Sequence, residues 1–187
     1  MIGSVNRVVV TGMGAITPIG NDINTFWNSL IEGRGGVRTI TRVNPDDVPC
    51  KIGAEVKDFD PLNYLTSKEV RRMDRFVQYS IAASEMAIQD AQLQLDRVDL
   101  DEVGVTLGTA FGALESMIDG QNSISAQPPK RLGPYFFPKT LANMGAAQVA
   151  MRYGPIGFSD AASIRVDIRG SGRRAQTTGH DSSGYNG

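Results

Sequence analysis

The chain has 187 residues, of which 41% are hydrophobic and 21% charged, and its net charge is −1 at pH 7. This composition is typical of a globular domain, and the net charge does not indicate binding to nucleic acid. No apolar run reaches the ~20 residues that span a bilayer, and the N-terminus lacks the features of a signal peptide. A single cysteine, Cys50, excludes an internal disulfide framework. These features predict a cytoplasmic protein that binds neither nucleic acid nor a membrane.

The first predicted element is a buried strand, because Arg7–Gly12 is a β-branched run that ends in glycine. After a glycine-rich turn, Asn21 or Asp22 is predicted to cap an amphipathic helix that ends at Gly33. The strand–glycine–helix order also allows a Rossmann-type nucleotide-binding domain. That fingerprint needs a third glycine where Thr17 stands, so a plain connection is the favoured interpretation.

Residues 34–60 are predicted to be irregular, apart from a short strand near Lys51–Val56. Cys50 lies in this stretch, and the single histidine, His180, is far away in sequence. A catalytic cysteine–histidine pair would require the two to meet in space, with the histidine held by a third group. We therefore favour an unreactive loop thiol, and we expect neither a metal site nor a cofactor.

A capping box, formed by Thr66 and Glu69, predicts the start of a helix that continues to about Ala91. The first turns of this helix carry several cations, and cations near the positive N-terminal end of a helix mildly destabilise it. Their presence there favours a role in binding an anionic partner. A solvated face partly neutralised by Glu69 and Asp74 is the competing interpretation. Four cations occupy the first turns of this helix: Lys68, Arg71, Arg72 and Arg75.

The next strand is predicted at Val103–Thr109, followed by a turn and a helix with apolar residues at helical spacing. The aromatic block Leu132–Pro138 is bracketed by prolines, which predicts an extended or turned segment. A helix rich in small residues should follow over Lys139–Tyr153 and end at Gly154. This alternation of strands and helices predicts a layered α/β domain.

The last 29 residues, Ser159–Gly187, differ from the rest because they hold five glycines, five serines and four arginines. Ile164–Ile168 alternates and is predicted to form at most one edge strand. Gly170–Gly187 cannot bury enough apolar surface to offset its ordering entropy and is expected to be mobile. We therefore divide the chain into a partial domain over residues 1–158 and a disordered tail over 159–187.

Several motifs follow one another in a fixed order between about residue 7 and Gly157. They are Arg7–Gly14 with Thr17–Gly20, Val56–Asp60, Lys68–Asp74 with Gln78 and Tyr79, Gly108–Gly112, and Pro134–Pro138 with Asn143 and Met144. In this order they resemble the N-terminal half of the β-ketoacyl-[acyl carrier protein] synthases, most closely the synthase II type. These enzymes condense acyl groups in fatty-acid and polyketide synthesis.

The resemblance implies a thiolase-like fold of alternating α/β layers, of which this chain carries the first half, and a homodimer. It also implies the parent reaction, a decarboxylative Claisen condensation of an acyl thioester with malonyl-acyl carrier protein. The acyl and malonyl thioesters and the acyl carrier protein are thus the implied substrates and partner. Part of the central layers should lack cover, so we expect an exposed apolar patch.

The family nucleophile is a cysteine at the start of a buried helix just beyond the equivalent of Gly157. Counting without a gap places Val166 at that position, and valine has no nucleophilic atom. Neither family histidine can be assigned, and His180 matches no family position. We therefore expect no catalytic residue and no condensing activity in this chain alone.

Two explanations of the missing nucleophile remain open. The tail resembles an out-of-frame or misjoined extension of a truncated synthase. Alternatively, the chain is a non-catalytic partner subunit, similar to the chain-length factors that lack the cysteine and pair with an active subunit. Such subunits keep a full-length fold, so truncation is the favoured explanation.

The resemblance also assigns binding roles to five residues of this sequence. Lys68, Arg71 and Arg72 stand where the family places cations that meet the acidic helix of acyl carrier protein. Phe111 stands at a position that lines the acyl pocket, where a ring should shorten or gate the pocket. Phe136 resembles a residue that reaches the partner subunit's acyl pocket across the dimer. For both phenylalanines, ordinary core packing is the competing interpretation.

Overall fold

The computed structural model describes residues 7–154 and the backbone of residues 158–163. Its helices and strands, in chain order, are α1 (Ile23–Ile31), β1 (Val37–Thr39), β2 (Ile52–Ala54), α2 (Ser67–Arg72), α3 (Arg75–Asp90), β3 (Gly104–Thr109), α4 (Leu114–Ser125), α5 (Phe136–Thr140), α6 (Met144–Tyr153) and β4 (Phe158–Ser163). None of the helices within residues 7–154 combines the length and the apolar character that a membrane crossing requires.

The strands form two small sheets within the described residues. β1 and β2 are antiparallel, with Arg38 opposite Gly53. β3 and β4 are parallel, in a register that pairs Gly104 with Phe158 and Thr109 with Ser163. Parallel strands need a crossover connection, and α4, α5 and α6 lie in the chain between β3 and β4. The α/β class predicted from the sequence is confirmed.

The core lies where α3 and α6 pack against each other and against β3. Gly145 allows this close approach, because a Cβ there would lie 2.1 Å from Cδ2 of Leu107. Burying a large aliphatic side chain contributes roughly 1.5–3 kcal/mol, so this small cluster stabilises the packing of α3 against α6. Its buried members are Leu65, Val77, Ile81 and Val149.

The single helix predicted from Thr66 to Ala91 is wrong, because the chain leaves the helical conformation at Met73 (φ −118°, ψ 144°). Asp74 then caps α3 by accepting a hydrogen bond from the Phe76 amide at 3.3 Å. Its carboxylate also accepts from the amide (3.1 Å) and the hydroxyl of Ser116 on α4. An aspartate side chain can accept hydrogen bonds from nearby backbone amides and so end one helix and start the next. The apolar periodicity of the sequence does not show such a break.

The predicted capping box at the start of α2 is confirmed. The Thr66 amide donates to Glu69 at 2.7 Å, and the Glu69 amide donates to the Thr66 hydroxyl at 3.3 Å. Because α2 ends at Arg72, Arg71 and Arg72 lie in its last turn, where cations are favourable for the helix dipole. Arg71 and Arg72 are therefore not unfavourable for the helix dipole, and the prediction that they are is wrong.

The predicted buried strand at Arg7–Gly12 is also wrong. The segment belongs to neither sheet of the described residues, and the side chains of Val8 and Val10 are 94% and 80% exposed. Its end packs on α3 instead, because a Cβ on Gly12 would lie 2.3 Å from the carbonyl oxygen of Ala87. A β-branched run indicates a preference for strand, but a strand also needs a neighbour, and no described segment pairs with this one.

The aromatic block Leu132–Pro138 is extended or turned, as predicted, only as far as residue 135, and the helical conformation from Phe136 onward corrects the rest of the prediction. A turn at residues 134–135 leads into α5 at Phe136, so Pro138 lies in the first turn of a helix. Proline is tolerated there because the first-turn amides have no intrahelical acceptor. The helix predicted over Lys139–Tyr153 is divided between α5 and α6, and it ends as expected at Gly154, where φ is +116°.

β4 begins at Phe158 and extends to Ser163, five residues beyond the division proposed from the sequence. The possible strand at Ile164–Ile168 and the mobile segment Gly170–Gly187 lie outside the described residues. The division of the chain near residue 158 stays a prediction.

The Asp74→Ala variant should lower the free energy of unfolding by about 2–3 kcal/mol, because it removes a helix cap and a charged acceptor of two hydrogen bonds from Ser116. Urea denaturation measures this change. The matched control is the exposed Asp96, where alanine should change the free energy of unfolding by less than about 0.5 kcal/mol. Equal effects at the two positions would contradict the role given to Asp74.

Stability should also depend on the ionisation of Glu69. The Thr66 hydroxyl and amide donate to its carboxylate, and Arg152 lies beside it, so the pKa of Glu69 is lowered from its ordinary value. A lowered folded-state pKa means that the stabilisation is fully present above the unfolded-state pKa of about 4.3 and is lost as pH falls through the folded-state pKa.

The Glu69→Gln variant keeps the capping geometry but cannot titrate. Between about pH 5 and pH 3 the free energy of unfolding of the parent protein should therefore fall more steeply than that of the variant. Urea titrations at several pH values measure both slopes. Parallel slopes would show that Glu69 contributes nothing to the acid sensitivity of the fold.

Candidate functional site

Three exposed cations lie on α2: Lys68, Arg71 and Arg72. Within residues 7–154 none of them forms an ion pair, whereas the fourth predicted cation, Arg75, lies on α3 at 3.9 Å from Glu115. The break at Met73 thus separates Arg75 from the other three. An exposed group of like charges without internal ion pairs is suited to an anionic ligand or protein.

Tyr135 contacts one of these cations. The guanidinium carbon of Arg72 lies 4.4 Å from the centroid of the Tyr135 ring, in the turn before α5. Such a cation–π contact stabilises its geometry by about 0.5–1 kcal/mol at an exposed site. Sequence reasoning missed this pair, because two residues so far apart in a single sequence carry no signal of contact.

A cleft of about 290 Å³ opens beside α2, between α4 and α5, and we call it the α4–α5 cleft. It brings together Arg71 and Phe136, both of which were singled out from the sequence. Four charged side chains line it: Arg71, Asp119, Arg131 and Lys139. Three cations against one anion give the cleft an excess of positive charge. Arg131 and Lys139 were missed, because neither belongs to a periodic pattern or a recognisable motif.

Phe136 packs against α4 of its own chain. A Cβ on Gly120 would lie 2.2 Å from Cε2 of Phe136, so the ring occupies the space that a side chain at position 120 would need. Phe137 meets Phe136 edge to face, with 5.5 Å between the ring centroids. The ring of Phe136 is half-buried. It fits against α4 because Gly120 has no side chain.

Phe111 lies apart from the α4–α5 cleft, in the turn between β3 and α4, and its side chain is 74% exposed. The amide of the next residue, Gly112, donates to the hydroxyl of Thr109 at 3.0 Å, and the φ of +61° at Gly112 requires glycine. Within the described residues no acyl pocket encloses this ring. The acyl-pocket roles of Phe111 and Phe136 stay predictions.

The candidate chemical groups are few. Cys50 is exposed, and its Sγ donates to the carbonyl oxygen of Ile52 at 3.4 Å. Val166 and His180 lie outside the described residues. Across residues 7–154 there is no group of three or more histidine, cysteine, aspartate or glutamate side chains arranged to hold a metal ion.

Residues 5–163 match the family model of the beta-ketoacyl synthase N-terminal domain. The chain is 44% identical over 151 residues to the 3-oxoacyl-[acyl-carrier-protein] synthase 2 of Synechocystis sp., a match that covers 81% of this chain and 36% of that protein. It is 37% identical over 155 residues to the enzyme of the same name from Staphylococcus aureus strain COL, covering 83% and 37%. The chain spans little more than a third of the length of these relatives.

Solved structures give the same family. The ishigamide ketosynthase/chain length factor matches with a TM-score of 0.76 and 27% identity, over 84% of this chain and 40% of that one. The AntDE:AntF complex, a type II polyketide synthase acyl-carrier protein with its ketosynthase, matches with a TM-score of 0.66 and 29% identity, over 83% and 40%. The thiolase-like layering predicted from the sequence is confirmed, and the chain belongs to the beta-ketoacyl synthase family, of which it carries the N-terminal domain.

Proposed function

We propose that this chain contributes the carrier-protein docking surface of a condensing enzyme. The single observation that carries the proposal is the group of three exposed cations on α2, Lys68, Arg71 and Arg72, none of which is paired within residues 7–154. The partner is an acidic acyl carrier protein that delivers acyl and malonyl thioesters. The AntDE:AntF complex, in which an acyl-carrier protein is bound to its ketosynthase, supports this assignment by analogy.

Electrostatics supports an acidic partner. The α4–α5 cleft continues the positive surface from Arg71 to Arg131 and Lys139, with Asp119 as its one acidic lining residue. Complementary charges of this kind speed association and fix the orientation of the partner more than they raise affinity. Binding should therefore weaken as salt rises, because exposed charges are screened beyond about 10 Å at 0.1 M ionic strength.

The parent reaction is the decarboxylative Claisen condensation of an acyl thioester with malonyl-acyl carrier protein. A carbon–carbon bond forms between the acyl carbonyl and the malonyl α-carbon, and carbon dioxide leaves. Val166 stands at the expected position of the nucleophile and has no atom that accepts an acyl group. In this proposal the chain alone binds the carrier protein but performs no condensation.

The remaining parts of the proposal follow the family. Phe111 and Phe136 contribute to acyl pockets, Phe136 across a homodimer, and the protein works in the cytoplasm. The half-buried ring of Phe136 supports a defined position for that side chain, because Gly120 leaves the space it fills. The exposed ring of Phe111 is compatible with a pocket that needs further residues to close it.

A second candidate function is that of a non-catalytic partner subunit that sets chain length. It is favoured by Val166 at the nucleophile position and by the match to the ishigamide ketosynthase/chain length factor. In that case the same docking surface serves an active homologue that supplies the cysteine.

Charge reversal on α2 tests the docking surface. The R71E/R72E variant should weaken binding of holo-acyl carrier protein by about tenfold at low salt, because two attractive contacts become repulsive. The ratio should shrink toward one at high salt. Titration calorimetry at several salt concentrations measures it. The matched control is Arg97→Glu, an exposed cation outside α2 that should leave the dissociation constant unchanged. An unchanged dissociation constant in the R71E/R72E variant would show that these cations form a solvated face with no role in binding.

A condensation assay tests the chemistry. The chain incubated with labelled acyl- and malonyl-acyl carrier protein should give no elongated product, and intact mass should show no acyl adduct. The full-length Synechocystis synthase 2 is the positive control. If the chain co-purifies with that synthase and changes its product length, the partner-subunit function is supported. Elongated product from the chain alone would overturn the proposed inactivity.

A further inference from the structure

The contact between Arg72 and Tyr135 joins two elements that are distant in sequence, α2 and the turn before α5. We propose that Tyr135 is a positioning residue of the docking surface, whose ring holds the Arg72 guanidinium where a carboxylate of the carrier protein meets it. The inference rests on the proposed function and adds a residue to it. The guanidinium carbon lies 4.4 Å from the ring centroid.

Arg72 has no competing acidic partner on its own helix. Glu69, three residues earlier, is the acidic residue of α2 that helical spacing would bring to it. One carboxylate oxygen of Glu69 accepts from the Thr66 amide and hydroxyl, both at 2.7 Å. The other oxygen accepts from Arg152 at 3.3 Å. With Glu69 engaged in the cap, the charge of Arg72 is available to a partner.

The ring contact restrains Arg72 without using its hydrogen-bond donors. A guanidinium carries five N–H donors, and a pair of them can bind one carboxylate in a bidentate geometry. Ordering a long side chain at an interface lowers affinity, and a side chain already restrained in the unbound protein loses less freedom on binding. Tyr135 therefore favours binding by restricting Arg72 before the partner arrives.

The position of Tyr135 is itself fixed by the start of α5. Its carbonyl oxygen accepts from the Lys139 amide at 3.0 Å, and the next amide, Phe136, donates to Gly133 at 3.0 Å. The Phe136 ring then packs on α4 at Gly120. A mobile aromatic side chain on a loop would not restrain an arginine. The backbone of Tyr135 and of Phe136 is hydrogen-bonded, which fixes the point from which the Tyr135 ring extends.

The test compares two substitutions at position 135 with titration of holo-acyl carrier protein from Synechocystis sp. Tyr135→Leu should weaken binding about two- to fivefold, the range expected for an exposed cation–π contact. Tyr135→Phe keeps the ring and should bind like the parent protein. If Phe and Leu weaken binding equally, the phenolic hydroxyl rather than the ring acts, and the proposal is overturned.

A double-mutant cycle separates positioning from a general effect on the fold. Arg72→Gln should cost less affinity in the Tyr135→Leu background than in the parent protein, because the two side chains act as a unit. The matched control pairs Tyr135→Leu with Lys68→Gln, an exposed cation on the same helix, and those two effects should add. Additive effects of Tyr135→Leu and Arg72→Gln would overturn the proposal.

A measurement without the carrier protein distinguishes this inference from the proposed function. In the NMR spectrum of the unbound protein, the side-chain protons of Arg72 should show a ring-current shift that disappears in Tyr135→Leu and remains in Tyr135→Phe. The absence of that shift overturns the role of Tyr135, even if the carrier protein binds. Failure of the parent protein to bind the carrier protein overturns the docking function, even if the shift is present.

Discussion

The buried carboxylate of Asp74 is the constraint on which the rest of the arrangement depends. It is 6% exposed, and a buried carboxylate is costly unless donors surround it. The amide of Phe76 and both donors of Ser116 satisfy it, so one side chain starts α3 and holds α4 beside it. The chain leaves α2 just before Asp74, which places Arg71 and Arg72 at a helix end. The end of α2, the start of α3 and the helix that carries Gly120 are thus held together at one residue.

The ion pairs found within residues 7–154 do not include the three exposed cations of α2. Glu69 is engaged by Thr66 and Arg152, and Glu115 lies 2.6 Å from Arg42. Both of these glutamates are therefore engaged within the fold by residues other than Lys68, Arg71 and Arg72. Surface ion pairs are individually weak, but their placement decides which charges remain available.

Local signals in the sequence predicted local structure well. The Asp22 cap, the capping box at Thr66, the strand at Gly104–Thr109 and the stop at Gly154 each depend on a few neighbouring residues. The motifs in order predicted the family and the thiolase-like layering. A β-branched run does not show whether a neighbouring strand is available, and no strand of the described residues pairs with Val8–Val10. The break at Asp74 and the contact of Arg72 with Tyr135 were not predictable, because each depends on a partner distant in the chain. A single sequence carries no signal for such contacts.

The parallel pairing of β3 with β4 has a consequence for biosynthesis. Its two strands are separated by three helices, so the sheet has a high contact order and forms only after the intervening chain has been made. During translation β3 emerges without its neighbour, with an unpaired edge open to other nascent chains. The backbone hydrogen bonds within α4, α5 and α6 are local, so these helices can form before β4 has been made. Pairing with β4 then protects an edge of β3 that would otherwise be open to association with other chains.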